Sequence, residues 1–343
     1  MWLIWKPVKW GDDMSREAIL ARLRRNPDIY ISGEVISREL GISRAAVSKA
    51  VNSLRKDGYE IAAVTNRGYR LISGPDRLSE GEVLPWLRTR QVGTHLLCFP
   101  VVDSTNSYLK REALSLPDGT VVITNQQTGG RGRLGRSFQS PPDRGVYLSA
   151  LLRPNLPPER ALNLTAFVAV AVCEAIERTT GLAPQIKWTN DIVLGGRKVC
   201  GILTEMSIEG ESGALQHIIT GIGINANQRA EEFPEELRDI AGSLYMVSGQ
   251  EVQRGRLAAE LINALDQMYA AWLSNGGDYL ERYRSRCLTV GKQVRLLRGN
   301  GRVEEATALA VDESFALVVE HPDGRRESIT SGEVSVRGLW GYL

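Results

Sequence analysis

The sequence predicts an α+β protein built in three successive parts, and three observations support this prediction. Three helical patterns followed by two short strand patterns occupy residues 14–74. Residues 80–285 alternate between strand-like and helical patterns, and residues 286–343 contain short β-rich runs separated by glycine-containing turns. A chain of 343 residues has room for two or three domains of ~100–200 residues each. We therefore expect one domain in each of these three ranges.

The composition is that of a globular protein, with 43% hydrophobic and 24% charged residues. No run of about 18 apolar residues occurs, so we predict no membrane-spanning helix. The first residues, MWLIWKPVKWGDD, lack a long apolar region and a small-residue cleavage site, which argues against a signal peptide. Met14 precedes a helix start, which makes it a candidate native start and residues 1–13 an extension.

The cysteines and histidines are dispersed along the chain. None of the four cysteines belongs to a CxxC pair, and their spacings match no zinc site. We expect reduced, mostly buried thiols in a cytoplasmic protein. The three histidines stand alone, so a Ser-His-Asp triad has little material, and we predict no protein-held metal. These residues are Cys98, Cys173, Cys200 and Cys287, and His95, His217 and His321.

The first part reads as three helices. We expect the first to run from Ser15 to about Arg24, and the second from Gly33 to Leu40, ending at Gly41, a favourable residue after a helix. Ser43 can cap the third helix, which continues to about Lys56. Apolar residues of the third helix recur at spacings of four and three, which predicts one core-facing side. They are Val47, Val51 and Leu54.

Two short strands follow, Glu60–Val64 and Gly68–Ile72, joined by a turn that contains Asn66. Three helices, a tight turn at residues 40–43 and a two-stranded wing describe a winged helix-turn-helix. We predict that its helix-turn-helix segment, Gly33 to Asn52, binds DNA. The side chains expected to face DNA are Arg44, Ser48, Asn52 and Arg55, with Arg67 and Arg70 of the wing approaching phosphates.

The charge distribution supports a polyanionic partner for this part. Residues 14–73 hold eleven Lys and Arg against six Asp and Glu, a net charge of +5, whereas the whole chain carries +2. A compact basic domain of this kind favours nucleic acid. The alternative is a protein-interaction domain whose basic face is simply solvated.

The central part predicts a mixed or antiparallel sheet with helices packed on it. A long apolar helix, about Arg160 to Thr180, should end at Gly181, and Gly195-Gly196 should form a hairpin turn. One or two more helices are expected in residues 256–285, and a small barrel resembling an SH3-like domain from Gly291 onward. The predicted strands are Thr120–Thr124, Val146–Leu152, Gln185–Trp188, Asp191–Leu194, Lys198–Met206 and Leu215–Ile224.

One loop in the central part has an unusual composition. Residues Gln127 to Arg136 read QTGGRGRLGR, with four glycines and three arginines in ten positions. Glycine lets the backbone approach a ligand closely, and guanidinium groups bind phosphate or carboxylate oxygens through two hydrogen bonds. No Gly-Lys-Ser/Thr closes the loop, so it is not a P-loop. It predicts either a mobile anion-binding loop or a flexible, arginine-rich surface loop.

Two further segments favour the anion-binding interpretation. Residues 102–106, VDSTN, begin a helical stretch and supply hydroxyls and an amide that can orient a small polar ring. Residues 187–191, KWTND, lie at the end of a strand. A lone lysine is usually a surface residue, but Ile186 and Trp188 beside Lys187 make a directed role more plausible.

Taken together, these segments resemble the biotin–protein ligases. DSTN, QTGGRGRLGR, KWTND, RKVCGILTE and GIGIN occur in the order and approximate spacing of that family, and the resemblance extends from about Ser15 to Arg337. With the winged helix, the chain looks like the bifunctional form, a ligase and biotin operon repressor in one chain. The resemblance implies a catalytic fold like that of class II synthetases and biotin–lipoate ligases. Thr189 departs from the family, which commonly has proline there.

The resemblance also implies roles for individual residues. Ser104, Thr105, Asn106 and Gln127 would line the biotin site. The catalytic residues would be Lys187, Arg131 and Arg133, which with Gly132 would also contact biotin and its adenylate. Lys198 and Asn225 would lie toward the nucleotide, and Trp188, Ile202 and Leu203 could supply an apolar wall.

The implied reaction joins biotin to ATP, with Mg²⁺, to give biotinyl-5′-AMP, and then transfers biotin to a lysine of a carboxylase acceptor domain. The implied partners are that acceptor, operator DNA of biotin synthesis genes, and a second copy of the chain when the adenylate is bound.

Three alternatives remain open from the residues. One is a transcription factor that only senses a metabolite, although it would need neither the lysine nor the arginine loop. Another is a lipoate-type ligase, whose loop differs. The third is a ligase whose winged helix no longer represses.

Overall fold

The computed structural model describes residues 12–274, 277–298, 301–330 and 333–336. The candidate extension therefore lies outside the described residues up to Gly11. The chain divides into two compact units, the first ending at Leu87 and the second beginning at Arg88. In the described ranges, no helix is long and apolar enough to cross a membrane.

The first unit contains the predicted three helices and wing. Its elements are α1 (Asp12–Arg24), α2 (Gly33–Leu40), α3 (Arg44–Lys56), β1 (Glu60–Val64), β2 (Gly68–Ser73) and the short α4 (Glu80–Val83). Gly41 ends α2 in the left-handed conformation, with φ 66°, and the Ser43 hydroxyl accepts a hydrogen bond from the Ala46 amide at the start of α3. The core holds Val47, Val51 and Leu54, as their spacing predicts.

Two details of this unit differ from the prediction. α1 begins at Asp12, three residues before the expected Ser15, and acidic residues favour the first turn of a helix. α4 was not predicted. It is only four residues long, too short for an apolar period to appear in the sequence.

A seven-stranded mixed sheet forms the centre of the second unit. Its order is β3-β4-β5-β9-β8-β7-β6, with β3 and β4 parallel and every other pair antiparallel. The strands are β3 (Leu96–Val102), β4 (Val121–Gln127), β5 (Gly145–Leu152), β6 (Gln185–Lys187), β7 (Asp191–Leu194), β8 (Arg197–Ile208) and β9 (Leu215–Asn225). The predicted mixed sheet is confirmed, but β3 was missed. It contains Pro100, which argues against a strand except at a sheet edge, where β3 lies.

Five helices accompany the sheet in the described part of this unit. They are α5 (Thr105–Glu112), α6 (Leu164–Thr180), α7 (Leu244–Ser248), α8 (Arg254–Leu273) and α9 (Tyr279–Arg286). α6 ends at Gly181, as predicted, but begins at Leu164 and not near Arg160. Pro158 instead opens a 3₁₀ segment, Pro158–Asn163, before α6. α6 and α8 pack against each other, and both contact the sheet.

The alternation of side chains along the strands separates the two faces of the sheet. Cys200, Ile202, Ile222 and Ile224 share one face of the paired strands β8 and β9 and are buried. Gly201, Leu203, Gly221 and Gly223 share the other face, on which the Asn106 and Phe138 side chains lie. The candidate site lies on this second face. Ile202 consequently cannot form the apolar wall predicted for it.

The C-terminal region is β-rich, as predicted. It forms a five-stranded antiparallel sheet in the order β13-β12-β11-β10-β14. The strands are β10 (Gln293–Leu297), β11 (Val303–Val311), β12 (Leu317–Glu320), β13 (Arg326–Ile329) and β14 (Glu333–Val336). Part of the predicted turn at 299–301 lies outside the described residues.

The C-terminal region is tied to the end of β6. The Trp188 backbone amide donates to Thr289 Oγ1 over 2.9 Å, and the indole Nε1 donates to the Phe315 carbonyl over 3.0 Å. Trp188 is therefore buried against the C-terminal region, where it cannot form the apolar wall predicted for it. Its contacts fix the chain directly after Lys187.

Candidate active site and nucleic-acid interface

Three polar residues at the start of α5 form one side of the candidate site. Ser104 is the N-cap of α5, and Ser104, Thr105 and Asn106 are all buried. The Thr105 amide donates to Gln127 Oε1 over 2.9 Å, which joins α5 to the end of β4. The side-chain nitrogen of Gln127, Nε2, donates in turn to Ser140 Oγ over 2.8 Å. Four of the predicted biotin residues are thus brought together.

Asn106 lies in a space left by a glycine. A Cβ on Gly221 would stand 2.1 Å from Asn106 Oδ1, so any larger residue would displace the amide. Ser149 Oγ lies 2.5 Å from Asn106 Oδ1 and 2.6 Å from Thr105 Oγ1. Ser149 and Gly221 were missed, because strands β5 and β9 carry them to α5 from positions distant in the sequence. The glycine alternation in GIGIN was the available signal.

Glu205 orients the same amide from the other side. Asn106 Nδ2 donates to Glu205 Oε2 over 2.8 Å, and Lys110 Nζ lies 2.6 Å from Glu205 Oε1. Burial alone would raise the pKa of Glu205, but the hydrogen bonds from Lys110 and Asn106 outweigh it and lower that pKa. Glu205 therefore stays ionised at neutral pH and fixes the Asn106 amide.

The Gly/Arg loop, residues 127–136, is anchored where it leaves β4. The Thr128 and Gly129 amides donate to the Val102 and Asp103 carbonyls over 3.0 and 2.7 Å. A Cβ on Gly130 would stand 2.3 Å from the Phe138 carbonyl, so glycine is required at this position. These bonds hold the beginning of the loop against the DSTN segment.

The tip of the Gly/Arg loop is open. The Gly132 amide donates to the Arg136 carbonyl over 2.7 Å, and Leu134 has φ 56° and is 76% exposed. Left-handed backbone is unfavourable for leucine. Arg133 Nη1 donates to Asn190 Oδ1 over 2.8 Å, which brings this arginine to the KWTND segment.

Lys187 is 8% exposed and shares one carboxylate with a second lysine. Its Nζ lies 3.8 Å from Asp191 Oδ2, while Lys198 Nζ lies 2.6 Å from Asp191 Oδ1. Register places Lys187 opposite Asp191, and Asp191 opposite Gly201, on the site face. Trp188 and Thr189 are joined by a cis peptide bond. The site therefore places two lysine ammonium groups around one carboxylate.

Two glycines leave the sheet without side chains beneath the Gly/Arg loop. Gly201 and Gly223 are paired across β8 and β9. A Cβ on Gly223 would stand 2.4 Å from the Phe138 ring, and one on Gly201 would stand 3.3 Å from the Lys198 chain. The Phe138 ring and the Lys198 side chain therefore pack directly against these two glycines.

Asn225, predicted to lie toward the nucleotide, is buried in a polar network. Its Nδ2 donates to the Gly242 carbonyl over 3.0 Å, and Gln228 Nε2 donates to its Oδ1 over 3.0 Å. Both ends of this amide are thus used within the protein. A cleft of about 670 Å³ opens beside the Gly/Arg loop, lined by residues 126–128, 139–141, 231–234 and Arg238.

Four residues of the first unit were predicted to face DNA, and they differ in the hydrogen bonds that their side chains make. Arg44, Ser48, Asn52 and Arg55 are all exposed along α3. Arg55 also donates through Nε and Nη2 to the Ile61 carbonyl over 3.1 and 2.6 Å, which ties α3 to the wing, and through Nη1 to Asn52 Oδ1 over 3.4 Å. The guanidinium groups of Arg67 and Arg70 lie 4.6 and 4.9 Å from the centre of the Tyr30 ring. Tyr30 was missed.

One group of metal-binding residue types lies in the C-terminal region. Glu304, His321 and Glu327 place one ligand atom each within 4.8 Å of one another. Arg298 contacts both carboxylates, at 2.8 Å in the case of Glu304, and lowers the pKa of each. The guanidinium therefore already provides the cation for this cluster.

Family matches cover each of the three parts of the chain. Residues 98–225 match the biotin/lipoate A/B protein ligase family, and residues 15–70 match an HTH domain. Residues 289–337 match the biotin protein ligase C-terminal domain.

Curated relatives match most of the chain. The bifunctional ligase/repressor BirA of Bacillus subtilis is 39% identical over 297 residues, covering 86% of this chain and 90% of that protein. The protein of the same name from Escherichia coli is 31% identical over 309 residues, covering 90% and 93%.

Solved structures agree. The biotin protein ligase of Aquifex aeolicus, in complex with biotin and ATP, is 30% identical with a TM-score of 0.60, and the match covers 71% of this chain and 99% of that one. With the ligase, HTH and C-terminal matches in one chain, the protein belongs to the biotin–protein ligase family, in its branch of bifunctional ligase/repressors.

Proposed function

We propose that this chain uses ATP to activate biotin as biotinyl-5′-AMP and transfers the biotin to a lysine of a carboxylase acceptor domain. The proposal rests on one observation, which is that three groups of residues lie on the same face of the central sheet. The buried polar start of α5, the Gly/Arg loop and the Lys187–Asp191–Lys198 group all meet there. Groups that can hydrogen-bond the polar ring of biotin therefore lie next to cations. These cations can bring together the biotin carboxylate and the ATP phosphates, which repel each other.

In the biotin site, Ser104, Thr105, Asn106 and Gln127 would hold the polar ring of biotin. The Thr105 hydroxyl and the Asn106 amide are already oriented by Ser149 and Glu205, and the Gln127 amide by Thr105 and Ser140. Preorganised partners of this kind reduce the entropy lost when a ligand binds. Leu203 lies on the same sheet face and would contribute the apolar wall.

In the first step, a carboxylate oxygen of biotin attacks the α-phosphorus of ATP. The bond from that phosphorus to the oxygen bridging to the β-phosphorus breaks, and pyrophosphate leaves. Negative charge accumulates as the two anions meet, and positioned cations stabilise it. Arg131, Gly132 and Arg133 would close over the carboxylate and adenylate, and Lys187 would neutralise the α-phosphate. Lys198 and Asn225 would lie toward the nucleotide.

In the second step, the uncharged amine of the acceptor lysine attacks the acyl carbon of the adenylate. An amide bond forms, the bond between the acyl carbon and the phosphate oxygen breaks, AMP leaves, and the attacking amine gives up one proton to solvent. Mg²⁺ would enter with ATP as part of the substrate. Because Mg²⁺ keeps several waters and binds through substrate phosphates, it needs no cage of protein ligands.

We propose further that the chain represses biotin synthesis genes in the cytoplasm, with biotinyl-AMP as corepressor. Domains at 14–74, 80–285 and 286–343 would supply DNA binding, catalysis and C-terminal support. The exposed Arg44, Ser48 and Asn52 on α3 would face the major groove of an operator. A homodimer formed when the adenylate is bound would place two winged helices on the half-sites of a palindrome.

Two measurements test the proposal. Incubation with ATP, Mg²⁺ and biotin should release pyrophosphate and form biotinyl-AMP, whereas lipoate or octanoate in place of biotin should not. Filter binding to the upstream region of a biotin synthesis operon should require the adenylate and fail with Arg44→Ala. Activation of lipoate in preference to biotin would contradict the ligase proposal, and ligase activity without operator binding would contradict repression.

A further inference from the structure

The first residue of α8 is an arginine whose side chain is completely buried. Arg254 is 0% exposed. Its Nη1 donates to the Gly145 carbonyl over 3.1 Å, and its Nη2 lies 3.4 Å from Asp143 Oδ1 and 3.5 Å from Asn125 Oδ1. A buried cation is costly unless it is paired and hydrogen-bonded. These contacts explain why α8 tolerates it.

The partners of Arg254 belong to the two ends of one segment. Asn125 lies near the end of β4, just before the Gly/Arg loop, and Asp143 and Gly145 lie where the chain enters β5. The Asp143 amide also donates to the Asn125 carbonyl over 3.2 Å, which closes the pair. We call residues 125–127 and 143–145 the loop stem. One guanidinium therefore contacts both halves of the loop stem.

Other buried groups hold the same region. The Tyr147 hydroxyl donates to the Pro141 carbonyl over 3.1 Å, and the Asn227 amide donates to the Arg144 carbonyl over 2.8 Å. Gln127, in the loop stem, is bonded to both Thr105 and Ser140. A shift of the stem would thus move Gln127 away from the start of α5.

We propose that Arg254 is a positioning residue for the reaction, which fixes the loop stem so that Arg131 and Arg133 close over biotinyl-AMP from a constant base. This inference rests on the proposed function. Arg254 does not reach ligand itself, because its side chain is enclosed by the protein. A planar guanidinium can bond a carbonyl and two side-chain oxygens at once, and a lysine ammonium cannot reproduce that geometry.

The experiment compares Arg254→Gln and Arg254→Lys with the matched control Arg256→Gln, an exposed arginine on the same helix. Wild-type biotinyl-AMP synthesis is measured first, so that a failure of the proposed function is recognised separately. Adenylate dissociation is then measured by chasing labelled biotinyl-AMP with unlabelled biotin and ATP, at a temperature below each variant's Tm. Biotin KM and kcat are determined for each variant.

We expect both Arg254 variants to release the adenylate about tenfold faster and to raise the KM for biotin, with a smaller change in kcat. In a third variant, Arg254→Ala, which removes the whole guanidinium, added millimolar guanidinium should partly restore slow release, and it should not affect the wild type. Arg256→Gln should behave as wild type. A merely structural arginine would lower Tm without changing dissociation in the folded fraction.

Wild-type dissociation rates in folded Arg254 variants, or an equal change in Arg256→Gln, would overturn the proposal. If the Arg254 variants do not fold, Asp143→Asn decides, because asparagine tolerates the left-handed backbone of Asp143, with φ 55°, and removes the carboxylate charge that faces Arg254. Faster adenylate release in that variant supports the stem-anchoring role, and an unchanged rate refutes it.

Discussion

The start of α5 and the Gly/Arg loop would contact the same ligand from two sides, yet they differ in how much structure exists beforehand. Ser104, Thr105 and Asn106 are buried, and the last two are hydrogen-bonded to strands β4, β5 and β8. At the tip of the Gly/Arg loop, Leu134 is exposed and has a left-handed backbone conformation. The start of α5 can select biotin by its shape, whereas the Gly/Arg loop can rearrange when a ligand binds. Selection of the ligand would then depend on the start of α5, and its retention on the Gly/Arg loop.

The largest expected effect comes from Lys187, the buried lysine at the end of β6. Lys187→Ala should reduce biotinyl-AMP synthesis by about 10²–10³-fold, because the ammonium proposed to neutralise the α-phosphate would be lost. Pyrophosphate release measures the effect. A loss of synthesis is informative only if Lys187→Ala still binds biotin. Isothermal titration of this variant with biotin alone therefore serves as the control. Unchanged adenylate synthesis would remove Lys187 from the catalytic role.

The preorganised region is tested by Gly221→Ala. The added methyl would stand 2.1 Å from Asn106 Oδ1, and relieving such a clash costs about 1–3 kcal/mol, or about 5- to 150-fold in biotin affinity. Gly210→Ala is the matched control, since a Cβ there meets nothing within 4 Å. Equal biotin affinity in the two variants would show that the Asn106 position does not matter.

The adaptable region is tested by Arg133→Gly. Loss of its hydrogen bond to Asn190 should leave adenylate synthesis possible but accelerate adenylate release by about tenfold. Arg136→Gly, in the same loop, provides the comparison. If release stays slow in Arg133→Gly, closure of the loop over the adenylate is the wrong explanation for retention.

The smallest effect is expected at Leu134. Leu134→Asn replaces a leucine in left-handed backbone with a residue that adopts it readily, at a gain of about 1 kcal/mol. Because this would favour the present loop conformation, adenylate release should change by less than about fivefold, with biotin KM unaffected. A large change in biotin KM would mean that the two regions are not separable.

Local signals allowed the helices of the winged helix to be predicted from the sequence. Gly41 and Ser43 end α2 and begin α3 through bonds to their immediate neighbours, so short-range chemistry determined both boundaries. β3 was missed because proline is informative only when the position of a strand within its sheet is known. No neighbouring residue reveals that position.

The site was predicted less completely, since its geometry depends on register. Ser149 and Gly221 are 43 and 115 residues from Asn106 in sequence and meet it only through β5 and β9. Trp188 was predicted to supply part of the apolar wall for biotin, but its indole bonds a carbonyl 127 residues away. The roles proposed for the individual site residues stay predictions.

The bonds from Trp188 to Thr289 and Phe315 have a practical consequence for protein engineering. The chain immediately after the proposed catalytic lysine is fastened to a region more than 100 residues downstream. Shortened versions that stop before residue 289 would lose this fastening even though every predicted catalytic residue is retained. Split versions would recover it only when both pieces are present, which suits the chain to reporters that label proteins on reassembly.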